Sequence, residues 1–150
     1  PRDITIECSI GDVPGEVTFH AFPEGALNTS VRERRDFIEA STGLRAIALT
    51  VHQRRLESVL DQWLPPRTEI DFLTLDVEGA EMAVLQSNDW HRYRPRVIVI
   101  ELAGATLETL NQVPASKFLI EKGYRPVSLL YHSAFFIRDG DLLRSWKTHS

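Results

Sequence analysis

The chain is 150 residues long, 43% hydrophobic and 25% charged, which is enough for one domain with a real core and ordinary for a soluble globular protein. A formal net charge of -4 and a pI near 5.7 give it no general attraction to phosphate backbones or anionic lipid, so nucleic acid and membrane surfaces are excluded as first readings. The single cysteine, Cys8, allows neither an internal disulfide nor a cysteine cluster for zinc and points to a reducing compartment, the cytoplasm.

No apolar run reaches the length of a membrane span and no signal peptide opens the chain. Pro1 stands where a start methionine would, which suggests a longer polypeptide. Ile4-Thr-Ile-Glu-Cys8 alternates as a strand does. Gly11 to Gly15 then supplies turn chemistry before a second alternating run, Glu16 to Phe22. Two strands joined by a turn are expected. Pro23 to Ser30 reads as a loop, its Asn28-Thr29-Ser30 included, and Val31 to Asp36 as a solvated charge cluster whose acids offset its arginines.

Leu44 to Val51 is strand-like. Leu56, Val59, Leu60, Trp63 and Leu64 then fall on one helical face that Pro65-Pro66 terminates. Phe72 to Val77 is a short, mostly apolar run, expected to be a central strand buried on both faces, with Gly79 turning it into a helix from Ala80 onward. Asp76, Glu78 and Glu81 thus cluster at the carboxyl end of that strand, where open α/β sheets bind ligands. An ionised side chain there must reach solvent, a ligand or a cation, because burying it alone is costly. Glu78 and Glu81 could equally serve the N-terminus of the following helix.

Arg96 to Leu102 is a second apolar strand carrying Glu101, and strand, helix, strand at this spacing predicts a parallel pair with Asp76 and Glu101 at one end. Pro114 to Lys122 is a helix stopped by Gly123, and Tyr124 to Tyr131 with Ser133 to Arg138 can only be an antiparallel hairpin.

The stretch Ile70 to Glu81, with Pro95 to Glu101 and Phe118 to Tyr124, resembles the FkbM family of S-adenosylmethionine-dependent methyltransferases, most specifically in Leu75-Asp-Val-Glu-Gly-Ala-Glu81. The resemblance implies an α/β chain with a Rossmann-like class I methyltransferase fold, a mostly parallel sheet ending in an antiparallel hairpin and lacking the first two strands. It implies S-adenosylmethionine as cofactor and O-methylation of a hydroxyl on a small-molecule, sugar or lipid-linked acceptor. Asp76 and Glu78 become the catalytic candidates, Asp76 facing the cofactor's methionine end or the acceptor. Cys8, Ser9 and Ile10 become cofactor contacts beside the adenine, aligned with the end of the family's third strand.

Glu101, an acceptor or metal ligand, and His52, at the end of a strand-like run, are the substrate-binding candidates. His20, His91, His132 and His149 have no constellation around them, and no zinc spacing occurs, so no metal is assigned. The eight glycines include no Gly-x-Gly pair, although the family's cofactor is held by a glycine-rich loop after its first strand. The alternative is a non-catalytic binding domain that keeps the sheet. A different Rossmann-type nucleotide binder is disfavoured by the same missing loop. With the first strand absent, Phe72 to Val77 has an open edge, expected either to self-associate or to pair with Ile4 to Cys8.

Overall fold

The structure, a computed structural model, describes residues 3–141. They divide into two compact units, one of residues up to 64 with 77–88, the other of residues 65–76 with those from 89 on.

In the first unit, β1 (Ser9–Ile10), β2 (Gly15–Ala21) and β3 (Ile47–Arg54) form a sheet in the order β1-β3-β2. β3 pairs antiparallel with all of β2, from Gly15 opposite Gln53 to Ala21 opposite Ile47. The strand expected over Ile4 to Cys8 is instead Ser9–Ile10, parallel to β3 only at Gln53 and Arg54. The two turn-joined strands are therefore not neighbours, because β3 lies between them. Gly11 to Pro14 can span about 13 Å when extended, against the roughly 10 Å across two strand spacings, so the crossing is feasible. Gln53 lies beneath it: its Nε2 donates to the Val13 carbonyl at 2.8 Å and its Oε1 accepts from Ser9 Oγ at 3.2 Å. A Cβ at Gly11 would come within 2.6 Å of the end of the Gln53 side chain, so a larger residue there would displace that amide from its two partners.

The charge cluster opens a helix. α1 (Arg32–Thr42) buries Ile38 and leaves Phe37 62% exposed, so neighbouring apolar residues lie on opposite sides and the helical period is masked in the sequence. α2 (Leu56–Trp63) buries Val59. Arg55 offers no side-chain cap to α2; Ser87, fully buried, does this instead, its Oγ accepting from Leu56 N at 3.0 Å and its carbonyl from Glu57 N at 3.1 Å. α3 (Glu81–Gln86) contributes Val84 and Leu85 to this unit's core.

In the second unit the sheet order is β4-β5-β7-β6, from β4 (Phe72–Leu75), β5 (Val97–Glu101), β6 (Tyr124–Leu130) and β7 (Ser133–Arg138). The parallel pair is present, Phe72 opposite Val97 through Leu75 opposite Ile100, and so is the reversed hairpin. Only β7 is reversed: β5 and β6 both pair antiparallel with it, so β6 runs in the same direction as β4 and β5. β4 is not buried on both faces. Phe72 is 60% exposed and only Leu75 is buried, because the strand has a neighbour on one side alone among the described residues. The expected pairing of Ile4 to Cys8 with this strand does not occur.

Strand alternation turns Ile98, Ile100, Ala134 and Phe136 inward, with Ile98 opposite Phe136 and Ile100 opposite Ala134, so a large residue faces a large one and a small one makes room beside it. α4 (Pro114–Glu121) adds Leu119. Burying each such aliphatic or aromatic side chain stabilises by roughly 1.5–3 kcal/mol. Trp90 meets Phe118 and Tyr124 edge-on at 6.0 and 5.6 Å. The buried Tyr124 hydroxyl donates to Pro95 O at 2.8 Å. Among the described residues no helix is long and apolar enough to cross a membrane.

Candidate active site

The parallel register that sets Leu75 opposite Ile100 carries Asp76 and Glu101 out of the same end of their strands, and a carboxylate oxygen of Asp76 lies within 4.8 Å of one of Glu101. Asp76 is exposed and Glu101 half-buried, so at least one acid meets solvent while ordered by its strand. Two acids this close can take a proton from a bound hydroxyl and orient it. They could also contribute to a hard cation's shell, but such an ion takes about six or more oxygens, of which this pair offers a minority.

Sequence reasoning missed His132 at the same strand ends. It immediately precedes β7, whose first residue Ser133 is the register partner of Glu101. The His132 carbonyl accepts Leu102 N at 2.7 Å. Its Nδ1 is buried with no hydrogen-bond partner, and the Tyr131 ring lies tilted beside it, the centroids 4.0 Å apart. The available signal was topological: a residue between the strands of a reversed hairpin falls at the carboxyl end of the strand that the hairpin joins.

In the first unit, Glu78 and Gly79 form the turn before α3, with φ of 48° and 100°, the left-handed region that costs a glutamate more than a glycine. The turn is held from two sides. Buried Thr29 donates its hydroxyl to the Glu78 carbonyl at 2.8 Å and accepts Val31 N at 3.0 Å, while Arg34 binds Glu78 Oε2 through Nη2 at 2.7 Å and Nε at 3.1 Å. Glu81 accepts Gly79 N at 3.1 Å, the helix-terminal service that its position allows. Arg34 sits in the stretch whose charges read as merely solvated.

The same unit contains a cavity of about 480 Å³ lined by, among others, Ile6, Cys8, Ser9, Phe19, Leu49 and His52. Its size falls in the range of about 300–1,000 Å³ typical of small-molecule sites. Cys8 and Ser9, expected at the cofactor, and His52, expected at the acceptor, therefore share one cavity wall, whereas Ile10 lies in the β1 ladder opposite Arg54.

Compared with families of known proteins, residues 1–126 match the model of the methyltransferase FkbM domain. The chain belongs to the FkbM methyltransferase family. The FkbM match spans β1 through β5 and ends at Pro126 inside β6, so β7 and the Ser133 partner of Glu101 lie beyond it. Comparison with curated proteins and with solved structures gives no match.

Proposed function

We propose that this FkbM chain works in S-adenosylmethionine-dependent O-methylation of a hydroxyl on a small-molecule, sugar or lipid-linked acceptor. The observation that carries the reading is the Asp76–Glu101 pair, two carboxylates within 4.8 Å at parallel strand ends, in a chain of a methyltransferase family. When bound, the cofactor would supply a methyl group made electrophilic by its sulfonium, the C–S bond breaking as C–O forms and the sulfur leaving as a neutral thioether. Asp76 takes the acceptor's proton as the oxygen attacks, and Glu101 holds the hydroxyl in line.

Alignment lowers such a barrier by as much as about 7–11 kcal/mol, whereas a positioned base contributes roughly a hundred- to ten-thousand-fold. Orientation by Glu101 therefore matters at least as much as proton removal by Asp76. In the other unit, the cavity beside Cys8 and Ser9 has the volume and the mixed apolar and polar wall for a flat heterocycle such as the cofactor's adenine, with Ile10 fixing the strand beside it and His52 available to an acceptor.

Calorimetric titration of S-adenosylmethionine into the full-length gene product tests this reading. The expected result is micromolar or tighter binding that Ser9→Trp, which fills the cavity, abolishes; no heat of binding overturns it. The 150-residue chain alone, which has no Gly-x-Gly pair, is expected to bind far more weakly.

A further inference from the structure

We infer that the free edge of β3 accepts the chain's own segment Ile4–Cys8 as a strand, so that the 480 Å³ cavity opens and closes as this segment leaves and joins the sheet. On one side β3 is laddered to β2 along its whole paired length. On the other its ladder with the N-terminal chain stops after two pairs, Ser9 with Gln53 and Ile10 with Arg54. The cavity is lined by Ile6 to Ser9 and by Leu49 to His52, the two stretches along which that ladder would continue, together with Phe19 of β2.

Three features identify the occupant. Continuing the observed parallel register sets Cys8 opposite His52, Glu7 opposite Val51 and Ile6 opposite Thr50, which extends an interface already present. Ile4-Thr-Ile-Glu-Cys8 has the strand alternation and contains neither proline nor glycine to obstruct a ladder. The apolar side chains along this part of β3 are uncovered: Ile47 is 68% and Leu49 46% exposed.

An open strand edge with such neighbours is a template for strand addition, and a tethered segment reaches it at high effective concentration. The movement requires neither ligand nor reaction. A molecule held in the cavity would keep the segment off the sheet, and closure would expel it.

The native Cys8 reports the closed register. Partners on adjacent strands lie about 4.7–4.9 Å apart, inside the Cα range of about 4.4–6.8 Å that a disulfide spans. Under mild oxidation His52→Cys is expected to cross-link to Cys8 about tenfold faster than Thr50→Cys, which is out of register. In the unaltered chain, hydrogen exchange is expected to show protection of at least about tenfold at those amides of residues 48–52 that point away from β2. Ile6→Pro, which removes a ladder donor, should erase that protection and leave the β2-facing amides slow. Equal or reversed cross-linking rates overturn the inference, and so does protection that is absent from the unaltered chain or that survives Ile6→Pro.

Discussion

The guanidinium of Arg34 grips a single carboxylate oxygen of Glu78 through two nitrogens, at 2.7 and 3.1 Å. Both side chains are partly shielded, 32% and 18% exposed, and the grip holds a glutamate at a φ of 48°. A residue fixed this way is first a brace for the turn between β4 and α3.

Charge-assisted hydrogen bonds of this kind are worth about 1.5–3 kcal/mol, discounted here for the solvent that reaches Arg34. Glu78→Gln and Arg34→Ala are each expected to destabilise the chain by about 1 kcal/mol, and the double variant by less than the sum, because they share one interaction. Urea unfolding of the four proteins measures this. Full additivity would show that the two side chains do not brace the turn together.

Tyr124 gives the fold a base-sensitive point. Burial pushes its phenol from 10 up to about 12, against the opposing charge and hydrogen bond of Arg94. Because the folded pKa is the higher one, the unfolded chain holds fewer protons between these values, so stability is fully present below pH 10 and falls as pH rises toward 12. Tyr124→Phe should flatten that slope in pH-dependent denaturant unfolding. At neutral pH it should cost about 1–3 kcal/mol, since the buried Pro95 carbonyl loses its donor. An unchanged slope in Tyr124→Phe would assign the base sensitivity elsewhere.

Among the described residues β4 is the edge strand of its sheet, and Phe72 on it is 60% exposed. Neither lysine nor proline interrupts Phe72 to Leu75, the usual means of blunting such an edge. With pairing to Ile4–Cys8 ruled out by the topology, self-association is the remaining expectation. Light scattering of the 150-residue chain should give a mass above the monomer's, and Phe72→Lys should restore the monomer. A strictly monomeric chain at high concentration would contradict it.

Sequence reading succeeded where local pattern and tertiary role coincide. The apolar run to Glu101, the hairpin after Gly123 and the helix from Leu56 each carry their own period and form as elements, and in the run to Glu101 the burial alternates with it. It failed where a partner far along the chain decides. Ile4–Cys8 alternates correctly, yet the N-terminal chain pairs with β3 only at Ser9 and Ile10. α1 was hidden because its apolar residues do not share one face, and Arg34 because its partner is 44 residues away. At the site, the strand-end position of Asp76 and Glu101 was legible from spacing. The place of His132 depends on β7 running back beside β5, a relation no local pattern expresses.

The central claim is that Asp76 takes the acceptor's proton in methyl transfer, and transfer of labelled methyl from S-adenosylmethionine to a panel of sugar and lipid-linked hydroxyl acceptors by the full-length gene product tests it most directly. Asp76→Asn keeps the side chain's shape at an exposed strand end, so it should lower kcat by roughly a hundred- to ten-thousand-fold while melting within a degree or so of the parent. Turnover retained by Asp76→Asn, or no methyl transfer by the parent protein to any hydroxyl acceptor, would contradict the account.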